Sequence, residues 1–192
     1  LTVTEESRRL LDEVWNDELK PLLMEETEVR ILRYDSLGKL ETEALAQHFR
    51  TRLYPILTPL AVDPGHPFPF ISNLSLSLAI EMREPRSASL HFARVKVPVS
   101  EGRWLAVPHA GSPYRFVALE EVVRQNVGEL FRGMEIVRVH AFRVTRNADV
   151  EREEEEAEDL IAMISDELRE RRLAPVVRLE VEKTMPEHLR AL

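Results

Sequence analysis

LSLSLAIEM, residues Leu74–Met82, decides how this chain is read. Leu74, Leu76, Leu78, Ile80 and Met82 alternate with Ser75, Ser77, Ala79 and Glu81. A period of two belongs to a strand, whose successive side chains point to opposite faces. The pattern predicts a half-buried strand, with the leucines toward a core and the serines toward water. Just upstream lies YPILTPLAVDPGHPFPF, Tyr54–Phe70, which holds five prolines, at 55, 59, 64, 67 and 69. Each proline fixes φ, removes a backbone donor and pushes its predecessor toward an extended conformation. Such a segment can be neither helix nor central strand. It reads as a stiff, extended strap whose shape costs little entropy to hold, anchored by Phe68 and Phe70.

Further out, other elements follow from the same rules. Residues 4–25 read as a helix with Leu11, Trp15, Leu19 and Leu22 as its apolar stripe, kinked or shortened by Pro21. EVRILRY (28–34) reads as a strand. Residues 39–56 read as a helix facing inward through Leu45, Phe49, Leu53 and Ile56 and ending near Pro55. SASLHFARVKVP (87–98) changes phase between Phe92 and Ala93, which predicts a bulge near residue 92. RWLAVP and YRFVAL read as strands about the turn HAGSP, and LEEVVRQNVGELF as a helix. MEIVRVHAFRVTR (134–146) reads as a long strand and 150–172 as a helix. PVVRLEVEK (175–183) reads as a strand with Val177, Leu179 and Val181 inward, and Pro186 fits the first turn of a last helix.

The fold class expected is α+β: a mainly antiparallel or mixed sheet with packed helices, in a single domain with an N-terminal helical element. Residues 1–56 would form a helix–strand–helix lead-in and 57–192 the main sheet-containing part. The 192 residues are 44% hydrophobic, enough for a sizeable core, and carry a formal net charge of −8. That acidity argues against a general nucleic-acid binder, though a local basic groove stays open. There is no cysteine, hence no disulfide, thiolate metal site or cysteine nucleophile. No apolar run reaches the roughly 18 residues of a membrane span. The chain starts at Leu1 close to helix-start signals and stops inside a young helix, the expectation being a piece of a longer protein.

Motifs for chemistry are sparse. Neither GxxxxGK(S/T) nor GxGxxG occurs, and no HExxH. Asp63 and His66 share a loop, but two ligands from one loop make a poor metal site. His91 and His140 sit on strand patterns and read as structural. The acid run 151–159 opens a helix that Arg169, Arg171 and Arg172 close, an arrangement that complements the helix dipole. The arginines are more informative. Arg143 and Arg146 end the long strand, and Arg178 alternates away from Val177 and Leu179. If the two strands are neighbours, these three guanidiniums gather on one surface and suit phosphate or carboxylate oxygens. The competing reading pairs them with the protein's own carboxylates.

YPILTPLAVDPGHPFPFISNLSLSLAI resembles the signature region of the long bacterial-type polyphosphate kinase. FRVTRNADVEREEEEAEDLI and LRERRLAPVVRLEVEKTMPEHL resemble two further stretches of that family, in the same order. The resemblance runs over essentially the whole chain. It implies the middle or head domain of a larger enzyme that reversibly transfers the ATP γ-phosphate to polyphosphate through a phosphohistidine, with ATP and Mg²⁺ as the parent's cofactors. The family's catalytic histidines and phosphate-gripping arginines lie in its C-terminal domains. No position here matches them, so the resemblance assigns this chain no catalytic, cofactor-binding or metal residue. None of the six histidines is then expected to be phosphorylated. Arg143, Arg146 and Arg178 remain as candidate polyphosphate contacts. The partners implied are the other domains of the parent, a second or further copies in a homodimer or homotetramer, and polyphosphate, with no nucleic acid. The location implied is cytoplasmic, with peripheral membrane contact open for the parent. The alternative is a stand-alone dimerisation or polyanion-binding module without catalysis.

Overall fold

The computed structural model describes residues 3–62, 69–85, 89–108, 114–147 and 174–191. The tip of the proline strap with Asp63, His66 and Phe68, the HAGSP turn, the acid run 151–159 and Arg169, Arg171 and Arg172 lie outside them. The fold is α+β, with open antiparallel and mixed sheets and an N-terminal helical element. The chain divides into two compact units, Leu1–Ile56 with Pro98–Val127, and Leu57–Val97 with Gly128–Leu192. The lead-in 1–56 therefore groups with 98–127 as well.

In the first unit, α1 (Val3–Glu13) runs through a π-helical stretch (Val14–Leu19) into α2 (Lys20–Thr27). The Lys20 N–H reaches back to the carbonyl of Trp15. The wider turn lies directly before Pro21, so the helix passes the proline and ends only at Glu28, which is left-handed with φ of 57°. The predicted apolar stripe is not buried here: Leu11, Leu19 and Leu22 are exposed, and none of the three segments has a buried residue. β1 is only Arg30–Leu32. It pairs in parallel with β6 (Arg115–Ala118), which pairs antiparallel with β5 (Trp104–Ala106), giving the order β1-β6-β5.

α3 (Lys39–His48) starts where the Gly38 N–H donates to the Glu41 carboxylate at 2.8 Å. It continues as π-helical Phe49–Leu53 and 3-10 Tyr54–Ile56. Leu45, Phe49 and Leu53 are buried as their spacing predicts, whereas Ile56 is exposed, because the shift to π and 3-10 turns rotates it off that face. α4 (Leu119–Asn126) packs against α3 and β6 through buried Leu119, Val122 and Val123. Arg115 pairs with Glu41, and Glu121 accepts the Tyr34 N–H at 2.6 Å.

The second unit is a five-stranded sheet in the order β2-β4-β3-β7-β8: β2 Pro59–Val62, β3 Leu76–Arg83, β4 Leu90–Lys96, β7 Glu135–Arg146 and β8 Val176–Val181. All of its pairings are antiparallel. β3 lies at the centre, and this corrects the half-buried expectation. Its serine-and-alanine face is as buried as its leucine face: Ser77 and Leu78 are both 0% exposed and Glu81 is 2%. Leu74 lies outside the strand, exposed and at φ of 57°. The phase change at Phe92 needs no bulge. The β3–β4 register runs unbroken from Ser77↔Lys96 to Arg83↔Leu90, because Phe92 is buried on one face and Ala93 and Val95 on the other. The register shift falls between Glu81 and Met82, against β7.

One face of the sheet carries a core of Ile71, Ala79, Phe92, Phe142, Val144, Met185 and Leu189, with Val62 and Val181 against it. Met185 and Leu189 belong to the segment that ends in α5 (Glu187–Arg190), for which Pro186 is the N-cap rather than a first-turn residue. In β8 only Val181 packs inward. Val177 and Leu179 are 63% and 42% exposed because the strand is the sheet's edge. The strap contributes the other edge, with Pro59 as the first residue of β2, a place where a missing N–H is tolerated.

Leu78→Asp places an unpaired charge at a fully buried position and is expected to cost on the order of 4–5 kcal/mol or more. A circular-dichroism melt should show loss of the folded transition. A cooperative melt matching the unsubstituted protein would contradict the assignment of β3 to the centre.

Candidate functional site

β7 and β8 do bring two of the three candidate arginines together. Arg143 stands opposite Glu180 and Thr145 opposite Arg178, so these side chains share the face away from the described core. Glu180 receives both cations: Arg143 Nε donates to Oε2 at 2.7 Å and Arg178 Nη2 to Oε1 at 2.9 Å. Both guanidiniums are nearly half exposed, so these pairs orient the side chains more than they stabilise the fold.

Arg146 lies apart from that pair. The β7–β8 register shifts at Thr145/Arg146, and its side chain turns to the exit of the proline strap. Nε donates to the Ile71 carbonyl at 3.0 Å and Nη1 to the Ala174 carbonyl at 2.6 Å. The guanidinium lies 4.3 Å from the centroid of the Phe70 ring, a cation–π contact. The Arg146 N–H donates to Asn73 Oδ1, and the Leu74 N–H to the Val144 carbonyl. Arg146 thus buckles residues 70–74 to the end of β7 and to the approach of β8.

A second guanidinium grips the same exit, and sequence reading missed it. Arg94, in the middle of β4, is 4% exposed. Its Nε donates to Ser77 Oγ at 3.1 Å and its Nη1 to the Phe70 carbonyl at 3.1 Å. Among the described residues it meets no carboxylate, and burial alone pushes its pKa down. The available signal was an arginine inside the apolar run FARVKV.

On the core face of β3, Glu81 forms a third polar node. Its Oε2 accepts from Arg138 Nη1 at 2.5 Å, and its Oε1 lies 2.6 Å from His188 Nε2. Burial pushes the Glu81 carboxyl up, but the hydrogen bonds and charges of His188 and Arg138 outweigh it and hold it below its ordinary value. His140 Nδ1 lies 3.3 Å from Glu182 Oε2 and 3.5 Å from Thr184 Oγ1. Residues 182–190 are thereby tied to β3 and β7. His48, His91, His140 and His188 are described; His66 and His109 are not. Among the described residues, no group of three or more His, Asp or Glu could hold a metal ion.

These features define a domain of scaffolding nodes and cationic grips. The family model for the polyphosphate kinase middle domain matches residues 41–192, and the chain belongs to that family. It is 47% identical over 171 residues to a polyphosphate kinase of Streptomyces coelicolor, covering 89% of this chain and 22% of that protein. It is 44% identical over 195 residues to one from Thermosynechococcus vestitus, covering 99% and 26%. The crystal structure of the Porphyromonas gingivalis polyphosphate kinase has the same fold, with a TM-score of 0.75 at 18% identity over 97% of this chain and 26% of that one. The chain thus spans about a quarter of the length of these relatives.

Removing the buckle with Arg146→Ala leaves the carbonyls of Ile71 and Ala174 without their donor and is expected to cost about 1–3 kcal/mol. Arg146→Lys should recover little, since one ammonium cannot reproduce the fork and the ring contact. Chemical denaturation of the three proteins compares them directly.

Because the folded-state carboxyl of Glu81 is depressed, its contribution is fully present above the ordinary carboxylate range and is lost as pH falls through the lowered value. Thermal melts from about pH 5 to about pH 3 should therefore fall more steeply for the natural protein than for Glu81→Gln. Parallel pH dependences would contradict the depressed carboxyl.

Proposed function

We propose that this chain is the non-catalytic middle domain of an enzyme that reversibly transfers the ATP γ-phosphate to polyphosphate through a phosphohistidine. The observation that carries this reading is the middle-domain match over residues 41–192. The chemistry is physically coherent: a histidine nucleophile splits phosphoryl transfer into two steps while cations hold the charge spread over the phosphate oxygens. No position of this chain matches the family's catalytic motifs, so this reading assigns ATP, Mg²⁺ and the reacting histidine to other domains of the parent. Within the parent this domain serves as scaffold, a homodimer or homotetramer contact and part of a basic channel wall. The stiff strap helps set it against neighbouring domains. The location proposed is the cytoplasm, with peripheral membrane association open to the parent. Among the described residues no helix is long and apolar enough to cross a membrane.

ATP-to-polyphosphate synthesis is expected from the full reading frame and not from residues 1–192 alone. Polymer made by the isolated fragment would overturn the non-catalytic assignment. An inactive full-length protein would overturn the kinase reading.

A second reading, polyphosphate contact by Arg143, Arg146 and Arg178, is favoured by the pairing of β7 with β8, which brings Arg143 and Arg178 together and leaves Arg146 at the end of β7. Titration calorimetry with long polyphosphate should then show binding that weakens as salt rises, and replacing all three arginines by Ala should abolish it. Absence of heat at low salt, or unchanged affinity in the triple variant, would exclude those residues.

A further inference from the structure

Arg94 and Arg146 differ from the other arginines described in the second unit's ion pairs. Arg138 pairs with Glu81, Arg143 and Arg178 with Glu180, and Arg190 with Glu187. Arg94 and Arg146 meet only neutral groups among the described residues: a hydroxyl, three backbone carbonyls and a ring face. The two converge, because Arg94 donates to the carbonyl of Phe70 and Arg146 to that of Ile71, the next residue. Each has a terminal amine, Nη2, with no hydrogen bond to the described residues. Neither Nη2 is among the fully buried unpartnered atoms.

Burying a cation such as Arg94 without a counter-charge is costly, and a second cation, Arg146, reaches the next residue of the strap. Such a pair is out of character in a chain whose net charge is −8. Were the role only to hold three carbonyls and a hydroxyl, neutral donors would serve without that cost.

The geometry points to an oxyanion site at the exit of the strap, where Arg94 and Arg146 together hold a phosphate-type group through their unused amines. The charge of the bound group offsets the burial of Arg94, and guanidinium forks match tetrahedral oxyanions in shape. Phe70 walls the site on the Arg146 side. Inorganic phosphate and a segment of polyphosphate share the required chemistry. Assigning the longer ligand rests on the kinase reading above; the oxyanion site itself does not. The site differs from the Arg143–Arg178 surface, whose cations already share Glu180.

The test uses the full-length protein with inorganic phosphate, tripolyphosphate and long polyphosphate, read by thermal shift and calorimetry. The natural protein should bind. Arg94→Met, which keeps the buried volume and removes the charge, should weaken binding at least about tenfold. Soaking crystals with tungstate, a heavy phosphate mimic, gives a readout independent of any variant: density between Arg94 and Arg146 is expected. Equal preference for phosphate and polyphosphate would identify a free-phosphate site, and tighter binding of the polymer a chain site. No binding, affinity unchanged in Arg94→Met, or tungstate lodged elsewhere would overturn the proposal. Polyphosphate synthesis is measured in parallel. Activity without the anion site leaves the kinase reading standing, whereas the anion site without activity overturns the kinase reading alone.

Discussion

Burial of β3 on both faces is the constraint on which the rest of the second unit depends. A central strand paired on both edges satisfies its backbone groups with β4 and β7. Its side chains then have no water to fall back on, and any polar one must find a partner nearby. Ser77 finds Arg94 from β4. Glu81 finds Arg138 from β7 and His188 from the closing helical turn. The partners are therefore distributed across the unit, and each ties a distant stretch of chain to the central strand. Met185 and Leu189 insert into the core beside the Glu81–His188 contact, so apolar and ionic anchors hold the same segment.

The proline strap makes sense within that frame. Prolines limit the conformations open to the unfolded chain, so holding the segment extended costs less entropy. They also deprive it of donors, so it can take part in a sheet only at an edge, and β2 is an edge. Its exit at Phe70 and Ile71 is fixed by donors from elsewhere, Arg94 and Arg146. For a domain that belongs to a polyphosphate kinase family, a stiff segment held by cations is a plain way to keep positive charge at a defined place. Arg138, Arg143, Arg178 and Arg190 are each paired with a local carboxylate, which is how an acidic domain can be selective about where its positive charge stays available.

Much of this was legible in the residues. Period-two alternation in LSLSLAIEM located β3, and the stripe Leu45, Phe49, Leu53 located the buried face of the second helix. The order of elements sufficed for an α+β class, and long strings such as YPILTPLAVDPGHPFPF sufficed for the family. These are local properties, since propensity and periodicity act over a few residues. The candidate site was legible only in part. Arg143 and Arg178 were legible as strand residues, with the pairing of their strands left as a condition that only the sheet supplied, and Arg94 passed unnoticed because a lone arginine in an apolar run carries no periodic signal.

What the sequence determined by itself was where strands and helices form and which family the chain belongs to. What only the tertiary structure decided was how many sides of a strand are covered, where registers slip and which charge meets which. The alternation of β3 looked half-exposed because period two reports a difference in polarity between faces and cannot report what packs on the second one. The bulge expected at Phe92 fell instead at Glu81/Met82 because register is a property of a strand pair. Arg143, Arg146 and Arg178 looked equivalent in sequence. They parted because Glu180 stands across the ladder from one and the end of the strap beside another, and those distances exist only once the sheet has formed.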